Sequence, residues 1–106
     1  MRAFFWPAMG LLLSLAAAEA RERLVILSPH WEGIRKEYHR AFVEWYRRRT
    51  GQEIEIVWLD MGGTSDDEKY IRSQFAQKPE GIGIDLFWGG GVDPYIRLAE
   101  EGYFQP

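Results

Sequence analysis

The 106-residue chain contains no cysteine. That excludes disulfides, a thiol nucleophile and thiolate metal sites, so stability must come from packing. Histidine is scarce: His30 and His39 lie nine apart, which does not match paired-histidine zinc spacing. Three enzyme signatures are also missing: a phosphate loop, a G-x-G-x-x-G turn after the first strand, and a G-x-S-x-G elbow. Positive charge is in deficit, with 13 Lys+Arg against 16 Asp+Glu and a net charge of −3. A nucleic-acid partner would ordinarily meet a basic surface, so none is expected. No low-complexity tract or internal repeat is present. Hydrophobic residues make up 46% and charged residues 27%, which fits a folded domain and excludes a disordered or collagen-like chain.

The first twenty residues differ from the rest. A positive start at Arg2 precedes an apolar run from Phe4 to Ala18, and Ala18-Glu19-Ala20 has the small-x-small form of a cleavage site. These parts in this order predict a secretory signal peptide over residues 1–20. The alternative is a membrane anchor, but the run falls short of the roughly 20 residues that span a bilayer. Arg2 and Glu19 cancel, so the net charge belongs to residues 21–106. A lipoprotein would carry cysteine at its first mature position. Its absence predicts a soluble exported product, with the periplasm as its address.

The mature segment alternates. Leu24-Val25-Ile26-Leu27 is an apolar run suited to a strand buried on both faces, ended by Ser28-Pro29. Ile34, Tyr38, Phe42 and Trp45 then recur at helical spacing, and Gly51 offers a stop after the basic Arg47-Arg48-Arg49. Residues 53–59 form a second strand. Ser65 and Glu68 match a capping box at the start of a second helix, which runs to about Gln77 with Ile71 and Phe75 inward. Residues 84–88 form a third strand. Asp93 as N-cap and Pro94 at the first helical position open a third helix that ends near Gly102. Trp45, Trp58 and Phe75 are assigned to the core. Asp66, Asp67 and Glu68 are read as complements to the second helix dipole. Strand and helix in strict alternation predict an α/β fold with a mainly parallel sheet.

In such sheets, ligands bind beyond the carboxyl ends of the strands. Three loops leave those ends, and each enters a helix N-terminus that favours a negative group. They supply the candidate ligand-binding residues Ser28, His30, Trp31, Gly62, Gly63, Thr64, Gly89, Gly90 and Gly91. Each also has a plainer reading: the glycines as turn chemistry, His30 as a capping or packing residue, Trp31 as a lid on the core. No catalytic residue is assigned, and His30 is the single candidate metal ligand.

Taken together, the leader, Leu24–Pro29, the helix closed by Thr50-Gly51, the strand Ile54–Trp58 and above all Ile84–Gly102 resemble the start of periplasmic substrate-binding proteins of ABC transporters. Within these, the chain looks like extracellular solute-binding family 1, near the ferric-iron-binding branch. The resemblance implies a type 2 periplasmic-binding-protein fold: two lobes joined by hinge strands, with a small molecule or ion held between them and delivered to an inner-membrane permease by a monomeric protein. It implies no cofactor and no catalysis. Ferric-binding relatives can ligate iron with a histidine after the first strand and a glutamate after the third. His30 stands near the first place, but Gly90 occupies the second, a departure that fits an anion or an organic ligand at least as well as iron. Iron, a phosphate-type anion, polyamine, thiamine and sugar all remain open. A two-lobe member needs about 300 residues, so residues 21–106 are expected to be the first part of lobe one. Two other functions stand beside this one: an exported α/β enzyme acting on a phosphorylated or anionic substrate, with its catalytic residues elsewhere, and a small free-standing α/β interaction domain.

Overall fold

A computed structural model describes residues 21–105; the expected signal peptide lies outside them. Strand β1 spans Glu22–Leu27, β2 Ile54–Leu59 and β3 Leu86–Phe87; helix α1 spans Glu32–Thr50, α2 Thr64–Gln77 and α3 Val92–Glu100. The strands form one parallel sheet in the order β2-β1-β3. The chain is therefore α/β, as its alternation predicts.

Central β1 shows why its sequence is an unbroken apolar run. Leu24 and Ile26 point to one face and pair with Ile56 and Trp58; Val25 and Leu27 point to the other and pair with Val57 and Leu59. On the second face Leu27, Phe87, Ile71 of α2 and Leu98 of α3 form the buried core. Each such side chain contributes roughly 1.5–3 kcal/mol by leaving water. Phe75 packs against this cluster, as its spacing from Ile71 predicts.

The first face is less well covered. Phe42 and Tyr38 of α1 lie over Leu24, Ile26, Ile56 and Trp58, but an open groove remains between helix and sheet. No residue of α1 is fully buried. Its half-buried positions are Gly33, Arg35, His39, Phe42, Val43 and Tyr46. The predicted stripe is rotated from this one: Ile34 and Tyr38 are exposed, and so is Trp45 at 47%, which removes Trp45 from the core. Trp58 is half-buried and lines the groove.

The third strand is shorter than predicted. Asp85 makes the next ladder contacts without being a strand residue: its N–H donates to the Val25 carbonyl at 2.9 Å, and its Oδ2 accepts the Val25 N–H at 2.8 Å. A side chain here replaces a backbone acceptor, and positive-φ glycines at 83 and 89 bracket the segment.

Helix ends divide the same way. Gly51 closes α1 at φ 73°, donating to the Arg47 carbonyl, as predicted. Gly102 follows α3 at φ 84°; its N–H reaches Ala99 O and the Tyr103 N–H reaches Leu98 O, a Schellman pair. The predicted N-caps are not formed. Gly63 caps α2 and Gly91 caps α3, neither with a side-chain bond. Glu68 does not fold back on Ser65, because two arginines hold it. It accepts from Arg97 Nε at 3.0 Å and Nη2 at 2.8 Å and also pairs with Arg72, which in turn holds Glu101 next to α3. Asp93 lies in the first turn of α3.

Candidate functional site

The strand order fixes where a site belongs. From β1 the chain moves to β2 on one side, then returns through α2 to β3 on the other. The core residues put α2 and α3 on one face, while α1 lines the groove on the opposite face. Strand order therefore reverses at β1, and the loops after β1 and β3 flank a switch point, the usual ligand crevice of open α/β sheets.

Those loops meet there. The His30 ring lies so close to Gly89 that a Cβ on residue 89 would fall 2.8 Å from His30 Nε2. The same ring packs edge-on against Trp88, with centroids 4.3 Å apart. The loop after β2 joins through Thr64, whose Oγ1 would be 2.7 Å from a Cβ on residue 90. Gly89 has φ 110° and Gly90 φ 82°, a region L-residues rarely enter. At these two positions glycine serves both conformation and close approach. His30, Thr64, Gly89 and Gly90 are thus brought together.

The other candidates stand further back. Ser28 is wholly buried at the end of β1, where its Oγ accepts the His30 N–H at 3.2 Å; it positions the histidine loop. Gly62 and Gly63 donate their N–H groups to Asp60 Oδ1, both at 3.1 Å, so a carboxylate of the chain itself already fills the position an anion would take. Nothing approaches Gly91 within 4 Å of a would-be Cβ. Trp31 caps α1 without a side-chain bond and is 75% exposed. Its ring folds over Gly33, so it is no lid on the core.

Two further residues contribute here: Asp67, which sequence alone assigned to the helix dipole, and Tyr95, to which it gave no role. Asp67 is 0% exposed, and its Oδ1 accepts the Met61 N–H at 2.7 Å, but Oδ2 has no partner among the described residues. Burial pushes its carboxyl up to about 6, against the pull of the Met61 N–H and with the help of nearby Asp60 and Asp66. The signal was present in the spacing: Asp67, Ile71 and Phe75 recur every fourth residue on the inward stripe. Tyr95 donates its hydroxyl to the Gly89 carbonyl at 2.6 Å and stacks on Phe87 with centroids 4.8 Å apart. Burial raises its pKa, so it remains a donor that fixes the Gly89 loop.

The loops at this edge and the helix starts they enter carry Asp60, Asp66, Asp67 and Asp93 and one imidazole, His30. Among the described residues, no group of three His, Asp or Glu could hold a metal ion, and no helix is long and apolar enough to cross a membrane. Comparison of the chain with family models, with curated proteins and with solved structures gives no match.

Proposed function

We propose that the chain forms part of the first lobe of an extracytoplasmic solute-binding protein of an ABC importer, with a type 2 periplasmic-binding-protein fold. The observation that carries this reading is the meeting of His30 with Gly89 and of Thr64 with Gly90 at the switch point of a parallel sheet. A ligand seated there contacts backbone at the glycines and an imidazole from the β1 loop. This edge forms one wall of a cleft, and a second lobe supplies the other. The four carboxylates, one of which already holds the Gly62 and Gly63 N–H groups, favour a neutral or cationic organic solute over phosphate. Delivery to a permease then follows from closure of the two lobes. No step needs a nucleophile or general acid from this chain.

The test is thermal stabilisation of the full-length gene product by ferric ion, phosphate, polyamine, thiamine and sugars. A bound solute at a hundred times its Kd adds about 2.7 kcal/mol, and Thr64→Ala should weaken it. The absence of ligand-dependent stabilisation across that panel would overturn the reading.

A further inference from the structure

A second cavity lies between the first turns of α1 and edge strand β2. It measures about 420 Å3 and is lined by Glu32, Arg35, Lys36, His39, Arg40 and Trp58. That is within the roughly 300–1,000 Å3 of small-molecule sites.

Its polar groups are unevenly matched. Lys36 pairs with Glu32 at 3.2 Å, and Arg40 pairs with Glu37 at 3.1 Å, both well exposed. Arg35 has no carboxylate partner among the described residues. Its Nε is shut off from solvent and finds no acceptor there. A buried N–H left unpaired costs free energy, and native structures seldom tolerate one. One turn along, His39 Nδ1 accepts the Trp58 indole N–H at 2.9 Å. In the neutral ring that bond puts the proton on Nε2. Nε2 is then a second donor without a partner among the described residues. Arg35 and His39 are four apart, so one helix face presents both donors. The Trp58 indole supplies an apolar wall.

We propose that this cavity binds an oxyanion, the carboxylate or phosphate of a small organic molecule, between Arg35 and His39 with its carbon skeleton against Trp58. The planar guanidinium suits either group, because its N–H donors match paired oxygens. The cavity shares no lining residue with the His30, Thr64, Gly89 and Gly90 cluster, although Trp58 lies against Trp88, with ring centroids 5.9 Å apart. A ligand here also ties α1 to β2 on the thinly packed face of the sheet.

The experiment is an NMR titration of the isotope-labelled full chain with inorganic phosphate and, separately, with acetate, at ionic strength held constant by chloride. The readouts are the Trp58 indole N–H and the His39 ring signals. A saturable shift with phosphate or acetate is expected, and the stronger of the two identifies the class. Arg35→Gln should weaken it about tenfold or more, and Arg35→Lys, which keeps the charge but loses the Nε donor, should also weaken it. Arg48→Gln on the exposed side of α1 should leave it unchanged. Shifts with neither anion, or shifts that persist in both Arg35 variants, would overturn the proposal.

Discussion

Replacing Asp67 with asparagine should stabilise this protein at neutral pH. The carboxyl is fully buried, and only one of its oxygens is hydrogen-bonded among the described residues. Its pKa is about 6 in the folded chain against 3.8 as a reference. The folded state therefore holds the proton more tightly than the unfolded state. The resulting stabilisation is fully present below pH 3.8 and disappears as pH rises towards 6. At about 1.4 kcal/mol per pKa unit, the loss comes to about 3 kcal/mol. Neighbouring Glu68 runs the other way. The Arg97 and Arg72 hydrogen bonds hold it at about 2, so its contribution is present above pH 4.5 and is lost as pH falls towards 2. The two windows leave a stability optimum near pH 4. The substituted asparagine keeps an oxygen for the Met61 N–H and carries no charge. Urea unfolding from pH 3.5 to 8 should find Asp67→Asn close to the parent at pH 4 and about 2–3 kcal/mol more stable at pH 7.5. With m of ~1 kcal/mol/M, that moves the midpoint by ~2 M or more. A parent whose stability is flat between pH 4 and 7, or a variant that retains the parent's slope, would refute the reasoning.

Two further substitutions probe the site and the helix pair. Gly90→Ala combines φ 82° with a Cβ 2.7 Å from Thr64 Oγ1 and 2.8 Å from its Cγ2; thermal or urea unfolding should register a loss of about 1–3 kcal/mol, part of it restored by Thr64→Ala, which removes both atoms. Glu68→Gln takes from Arg97 its carboxylate partner and weakens the link between α2 and α3, while Arg72 keeps Glu101. Breaking a buried pair costs about 3–5 kcal/mol, but Arg72 and Arg97 are 34% and 52% exposed, so urea unfolding at pH 7 should find about 2 kcal/mol.

The sequence made the elements legible where periodicity was strong. The unbroken Leu24–Leu27 run marked a strand buried on both sides, and Gly51 and Gly102 marked helix ends by the left-handed turn they permit. The loop residues at the sheet edge were also legible, because parallel strands must release their loops on one side. The rest depended on contacts between distant residues. The Ser65/Glu68 spacing fits a capping box, yet Arg97, 29 residues on, holds Glu68 instead. Asp67 was read as a surface complement to the helix dipole because it is acidic and near the start of α2, although its spacing from Ile71 places it inward. On α1, apolar residues fall on both sides of the half-buried stripe, so hydrophobicity alone rotated that face and put Trp45 in the core.

The Asp85 carboxylate on β1 has a mechanical consequence. A strand of two residues has little to hold its register, and a slip by one would exchange Leu86 and Phe87 between the two faces. Because Asp85 grips Val25 through both its N–H and its side chain, such a slip would pull the carboxylate off its donor as well. The peg lies four residues before Gly89, with only the paired Leu86–Phe87 segment and Trp88 between them. Trp88 is itself bonded to Leu27. The glycine loop is thus held from its strand side, and its opposition to His30 is tied to the register of β3 on β1.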